Sequence, residues 1–252
     1  MNKIYNENCL DTMKRMPDNY IDLTVTSPPY DNLRNYKGYV FDFEQIAREL
    51  YRVTKKGGVV VWVVNDATVK GSETGTSFKQ ALYFKEIGFN LHDTMLWCKT
   101  GPPLSHNRYE QGFEYMFILS KNTPKVFNGI RDKINKTAGE SIHVSQRCAD
   151  GIVRKTSSKV GKIRQFGLRT NLWFIPPCVS SKERFGHPAP FSEQLANDHI
   201  ISWSNEGDLV YDPFLGSGTT MKMAKLNKRN CIGSETSKEY CEIAIERIKT
   251  GE

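Results

Sequence analysis

Six consecutive apolar residues, Val59-Val60-Val61-Trp62-Val63-Val64, constrain the fold of this 252-residue chain more than any other feature. The run is rich in β-branched residues and lacks polar alternation, so it reads as a strand covered on both faces. A sheet with helices packed on each side supplies that environment. The flanking segments provide the remaining layers. Residues 21–26 form a β-rich stretch that stops at Pro28-Pro29, which cannot continue a ladder. Phe43, Ile46, Ala47, Leu50 and Tyr51 recur at helical spacing, and Lys55-Lys56-Gly57-Gly58 is read as the end of that helix. A second helix is expected over 77–87, closed by Gly88, and strands over 94–98 and 114–119. After residue 191 the pattern predicts a helix (192–203), a strand (209–211), a helix, a strand around 231–233 and a final helix (237–248). This alternation predicts an α/β fold, a doubly wound and mostly parallel sheet of the Rossmann-like kind, with one interruption.

The interruption is where charge concentrates. The whole chain carries a net charge of +7, yet residues 121–185 hold 14 Lys and Arg against 4 Asp and Glu, so the rest of the chain is slightly acidic. That segment is rich in Ser, Thr, Asn and Gly and shows little periodicity. It is either a solvated basic loop or a module built to meet phosphates, whose neutralisation releases counterions and supplies affinity. The expected organisation is therefore 1–120, a basic region at 121–185, and 186–252. No apolar run reaches the ~18 residues that a membrane-spanning helix needs, and the start lacks the apolar stretch of a signal peptide. The expectation is a soluble, cytoplasmic protein with no membrane partner. Six cysteines without a C-x-x-C pair give no zinc pattern, and they are expected to be reduced.

Two motifs carry chemistry. Leu209-Val210-Tyr211 runs into Asp212-Pro213-Phe214-Leu215-Gly216-Ser217-Gly218-Thr219, a strand ending in an acid followed by a glycine-rich turn that opens a helix. About 20 residues on, Glu235 ends the next strand, where an acid grips ribose hydroxyls in nucleoside-binding folds. No Gly-Lys-Ser/Thr follows, so this is not a phosphate-cradling P-loop. The second motif is Ser27-Pro28-Pro29-Tyr30. Its prolines leave backbone carbonyls without turn partners, Ser27 adds a hydroxyl acceptor, and Tyr30 offers a flat face for stacking. Such a cluster can take hydrogen bonds from an exocyclic amino group while an aromatic base lies on the tyrosine.

Together these motifs resemble the amino-directed DNA methyltransferases, which use S-adenosylmethionine to methylate N4 of cytosine or N6 of adenine. Ser27-Pro28-Pro29-Tyr30 matches the catalytic tetrapeptide and the 212–219 segment matches the cofactor loop. Gly186-His187-Pro188-Ala189-Pro190-Phe191 resembles the motif preceding a helix beside the cofactor. The order, catalytic tetrapeptide, basic stretch, cofactor loop, is similar to the β group of these enzymes. The resemblance implies a class I methyltransferase domain with an inserted target-recognition region. It implies Ser27, Pro28, Pro29 and Tyr30 as catalytic residues. It implies cofactor contacts from Asn8, His187, Pro188, Phe191, Asp212, Phe214, Gly216, Ser217, Gly218, Thr219 and Glu235. Departures are Asn8, where the family often has an acid, and Ser234 between Gly233 and Glu235.

Double-stranded DNA is the implied partner, with Arg34, Arg147, Arg154, Lys155, Lys159, Lys162, Arg164 and Arg169 as candidate contacts. A homodimer and a cognate restriction endonuclease are further expectations, as is association with the nucleoid through DNA. The target base must leave the duplex stack to be reached. Ser at the first tetrapeptide position favours cytosine N4 in this family; adenine N6 by the same mechanism, or a catalytically silent DNA binder on this scaffold, stays open. Cys178 lies far in sequence from the tetrapeptide and lacks the Pro-Cys-Gln context of cytosine-C5 enzymes, so it is read as structural. A side chain at Gly218 is expected to intrude on the cofactor.

Overall fold

Every residue from Gly57 to Val64 is buried, in the longest strand of the central sheet. A computed structural model describes residues 2–29, 41–99, 109–141, 145–155, 161–178 and 192–250. Up to the basic region the elements are β1 (Asn2–Tyr5), α1 (Cys9–Lys14), β2 (Ile21–Thr26), α2 (Phe43–Val53), β3 (Thr54–Val64), β4 (Thr68–Val69), β5 (Ser72–Glu73), α3 (Thr76–Glu86), β6 (Asn90–Cys98) and β7 (Phe113–Ser120). Then follow β8 (Lys133–Ile134), β9 (Ser145–Arg147), β10 (Val153–Lys155), β11 (Phe166–Gly167) and β12 (Leu172–Phe174). The chain closes with α4 (Glu193–Trp203), β13 (Leu209–Asp212), α5 (Thr219–Leu226), β14 (Asn230–Ser234) and α6 (Lys238–Thr250).

The main sheet runs β1-β14-β13-β2-β3-β7-β6-β12 among the described residues. The five strands from β1 to β3 are mutually parallel, while β7 is antiparallel to both β3 and β6. Period-2 alternation along β3 feeds two cores. Val60, Trp62 and Val64 face α1, α2 and α3 with Met13, Leu50 and Phe84, whereas Val59, Val61 and Val63 face α4, α5 and α6 with Leu195, Met221 and Ala244. From β2 the chain moves to β3, and from β13 it moves the opposite way to β14. Right-handed crossovers in opposite directions put their helices on opposite faces. The carboxyl ends of β2 and β13 thus flank the topological switch point, where open α/β sheets bind ligands.

Local rules explain the helices. Asp42 caps α2 by accepting the Gln45 amide (3.1 Å), and Gly88, at φ 114°, closes the turn after α3. Trp62, fully buried, donates its indole N–H to Gln80 of α3 (2.8 Å).

Two local readings are corrected. The Lys55-Lys56-Gly57-Gly58 segment belongs to β3 rather than to a helix end. β2 pairs Ile21 with Thr54 and then Leu23 with Val59, so these residues form a bulge. Gly57 sits at φ 82° in it and donates to the Lys121 carbonyl (2.6 Å). The basic stretch also contributes a core strand. β12 pairs parallel with β6, Trp173 is buried, and the Trp97 indole donates to Ile175 O (2.7 Å).

By contact, Gly129–Thr170 forms a second unit, and the rest of the chain forms the first. Among its described residues the second unit holds two small antiparallel pairs, β8 with β11 and β9 with β10. Among the described residues, no helix is long and apolar enough to cross a membrane.

Candidate active site

β13 delivers Asp212 to the switch point with 1 % of its surface exposed. Thr26, the last residue of β2, donates its hydroxyl to Asp212 Oδ1 (2.7 Å), and the Phe214 amide donates to the same oxygen (3.0 Å). The Thr26 contact joins two strands across 186 positions of sequence. Burial pushes the Asp212 carboxyl up to about 6, with the hydrogen bonds from Thr26 and the Phe214 amide opposing the rise. Since this lies above the usual 3.8, the protonated group favours the folded state. Its contribution is full below 3.8 and is lost as pH rises through about 6. Asp212→Asn is expected to flatten that loss, which amounts to up to about 3 kcal/mol between about pH 4 and pH 7. Urea melts across that range test it; equal pH slopes for the two proteins would contradict the buried carboxyl.

The loop after Asp212 is built to approach closely. Leu215 N donates to Ser234 O (2.9 Å), and Gly218 N closes a turn on Leu215 O (3.0 Å). Gly216 and Gly218 take φ values of 51° and 86°, in the left-handed region that favours glycine. A Cβ on Gly218 would stand 2.8 Å from Ala244 Cβ and 3.0 Å from Ala244 Cα. It would therefore collide with α6, so the expected intrusion on the cofactor gives way to a clash with the helix behind the loop.

Glu235 follows β14 and closes the other side. Its Oε2 accepts the Gly216 amide (2.9 Å) and its Oε1 the Ser237 amide (2.8 Å). Each oxygen keeps a further lone pair for an external donor. Phe214 is half-buried, edge-on to Phe41 (5.7 Å) and Trp62 (6.2 Å). A carboxylate held by two backbone amides with lone pairs to spare, beside a turn of two left-handed glycines, fits a ligand that presents ribose hydroxyls as donors. Asn8 follows β1, which neighbours β14, and its Oδ1 caps α1 at Leu10 N (2.9 Å).

Ser27, Pro28 and Pro29 leave β2 immediately after Thr26, with Pro28 buried and Ser27 and Pro29 half-buried. The two sequence motifs therefore meet on adjacent strand ends, Leu23 pairing with Val210 and Thr24 with Tyr211. Tyr30, Arg34, Lys159, His187, Pro188 and Phe191 lie outside the described residues. Arg147 falls in β9, and Arg154 and Lys155 in β10. Lys162 and Arg164 are exposed, whereas Arg169 is paired with Asp132, whose carboxyl it holds below the usual range.

A DNA methylase family model matches residues 21–246. Orphan methyltransferase M.BamHII of Bacillus amyloliquefaciens is 59% identical over 236 residues, covering 91% of this chain and 89% of that one. The chain belongs to this family of N6/N4 amino-directed DNA methylases. Type II methyltransferase M.BglII of Bacillus subtilis is 28% identical, over 100% of this chain and 70% of its own. Among solved structures, PvuII DNA methyltransferase (cytosine-N4-specific) superposes with a TM-score of 0.70 at 21% identity, over 100% of this chain and 94% of that one. The complex of M1.HpyAVI with S-adenosylmethionine gives 0.68 at 23% identity, over 98% and 99%. Both are likenesses of fold, that of class I methyltransferases.

In this methylase, sequence reasoning gave no role to Thr26, Glu193, Lys222 or Arg247. Arg247 donates through Nη1 to Ser217 O (2.7 Å), Ser217 Oγ (3.0 Å) and Thr219 Oγ1 (3.3 Å). Its Nη2 donates to Glu193 Oε1 (2.6 Å), which also accepts from Lys222 Nζ (2.8 Å). The available signal was a cation on the apolar stripe Cys241, Ala244, Ile248 of the last helix.

Proposed function

We propose that this DNA methylase transfers a methyl group from S-adenosylmethionine to N4 of a cytosine flipped out of a specific double-stranded site. The observation that carries the reading is the junction of Ser27-Pro28-Pro29 with the 212–219 loop, made by the Thr26–Asp212 hydrogen bond. Glu235 is the group for the ribose hydroxyls, and Asp212, Phe214 and residues 216–219 line the cofactor side. Asn8, His187, Pro188 and Phe191 complete that side by resemblance to the family. When bound, the sulfonium supplies a methyl group already activated for transfer.

The chain's own task is to prepare the nucleophile. An exocyclic amino nitrogen is weak because its lone pair is delocalised into the ring. Ser27 Oγ and the Pro28 carbonyl accept its hydrogens and draw them from the ring plane, which localises the lone pair. Tyr30 stacks on the base, worth about 1–3 kcal/mol. Alignment does the rest, with no covalent enzyme intermediate: as the nitrogen–methyl bond forms the sulfur–methyl bond would break to leave a neutral thioether, and the amino nitrogen would release one of its hydrogens as a proton. The choice of N4 rests on Ser27 at the first tetrapeptide position; the PvuII enzyme that shares the fold is named cytosine-N4-specific.

The basic region would hold the backbone while the base leaves the stack. Affinity for DNA is expected to fall steeply with salt, each neutralised phosphate adding about −0.9 to the log–log slope. Lys162→Ala and Arg164→Ala should each reduce that slope by about 1. A flat salt response in filter binding would remove this region from the DNA. A homodimer is expected by resemblance to the β group of these enzymes. The word orphan in the name of the 59%-identical relative weighs toward an enzyme working without a paired endonuclease.

The deciding experiment is incubation with mixed-sequence duplex DNA and S-adenosylmethionine, followed by nucleoside digestion and mass spectrometry. N4-methylcytosine is expected. N6-methyladenine would keep the mechanism and overturn the reading of Ser27. Neither product, with the cofactor bound, would leave a silent DNA binder or a methyltransferase for a substrate other than DNA.

A further inference from the structure

We propose that Arg247 is a positioning residue for the cofactor, a clasp on α6 that sets the shape of loop 216–219 and ties it to the first turn of α4. The inference rests on the reading that this loop holds S-adenosylmethionine. Three consecutive loop residues are touched by one face of α6. Ala244 lies against Gly218, close enough to leave no room for a Cβ (2.8 Å), and Arg247, one turn on, bonds Ser217 and Thr219. The same guanidinium reaches Glu193, which also holds Lys222 of α5. Glu193 is the first residue of α4, so a single side chain links the 216–219 loop to the start of that helix.

The chemistry of the choice is informative. Arg247 is 3 % exposed, on a helix face otherwise made of Cys241, Ala244 and Ile248. Burying a cation there gains little over a well-packed apolar side chain if stability is the only purpose. A planar five-donor fork, in contrast, holds several acceptors at set directions, which an apolar residue or a lysine cannot do. Methyl transfer depends on alignment of the reacting atoms, and a loop held by rigid bonds from behind meets that demand.

The test measures S-adenosylmethionine affinity by calorimetry, together with steady-state kinetics and thermal melts, in wild type, R247M, R247K, E193Q and the R247M/E193Q double variant. R247M is expected to raise the cofactor Kd about 10- to 100-fold, with DNA affinity within about twofold of wild type. Its KM for the cofactor should rise far more than its kcat falls at saturating cofactor. R247K should recover part of the loss. E193Q should cost less than R247M, and the double variant no more than R247M alone, because Glu193 acts through Arg247.

A wild-type Kd in folded R247M, with only a lowered melting temperature, would overturn the clasp. So would fully additive effects of the two substitutions. If R247M does not fold, R247K decides, and an unchanged Kd there overturns the proposal. Failure of the wild-type protein itself to bind S-adenosylmethionine would instead show that the cofactor reading of the loop is wrong, and the clasp falls with it.

Discussion

Gly218→Val is expected to reduce S-adenosylmethionine affinity by about 100-fold or more, the equivalent of nearly 3 kcal/mol. Two costs combine. At φ 86° a β-branched side chain enters a region that L-residues rarely occupy, at about 1–3 kcal/mol. Its Cβ also meets both Cα and Cβ of Ala244, and a helix backbone cannot swing aside as a long side chain does. Either the loop or α6 must shift, and both carry the contacts that hold residues 216–219. Gly218→Ala should show a smaller loss, because alanine brings the same first clash without branching. Calorimetric titration gives the affinity, and a parallel thermal melt separates a displaced loop from global unfolding. Unaltered affinity in Gly218→Val would take the cofactor away from this loop.

Tyr30→Ala should produce the opposite pattern, loss of methyl transfer with the cofactor still bound. Loss of stacking alone removes about 1–3 kcal/mol, up to about 100-fold in rate. A flipped base left without its platform also lies poorly aligned, which deepens the deficit toward complete loss. Pro29→Ala should act in the same direction by freeing the backbone next to the accepting Pro28 carbonyl. Single-turnover transfer from labelled cofactor, read beside cofactor affinity, separates the two substitutions from Gly218→Val. Wild-type turnover in Tyr30→Ala would remove the tetrapeptide from the chemistry.

What the amino-acid sequence disclosed follows from which patterns are local. The 59–64 run announced a strand covered on both sides, and α2 appeared at Phe43–Val53 because five apolar residues repeat on one face. The two motifs were legible because each is contiguous. Their meeting through Thr26 and Asp212 was not, since a threonine before the tetrapeptide carries no mark of a partner 186 residues away. β12 escaped notice because three strand residues are diluted by a polar, basic neighbourhood, although Leu172-Trp173-Phe174-Ile175 is apolar throughout. Its membership in the sheet depends on β6, a relation that no local period encodes. The bulge at Lys55–Gly58 was mistaken for a stop because Gly-Gly punctuates helices and bulged strands alike. Arg247 escaped for a related reason: a cation on an apolar stripe declares that it is unusual without naming its acceptors.

The place of β13 also bears on how the protein comes into being. It stands between β2 and β14 in space, yet the ribosome supplies it long after β2 and β3. Until then β2 is an open edge, with Leu23 and Thr24 lacking the strand that will pair beside them. Much of the sheet's pairing spans long sequence separations, which makes folding slow and leaves an adhesive intermediate during synthesis. A nascent chain halted before Leu209 is thus a client for chaperones and proteases rather than half an enzyme.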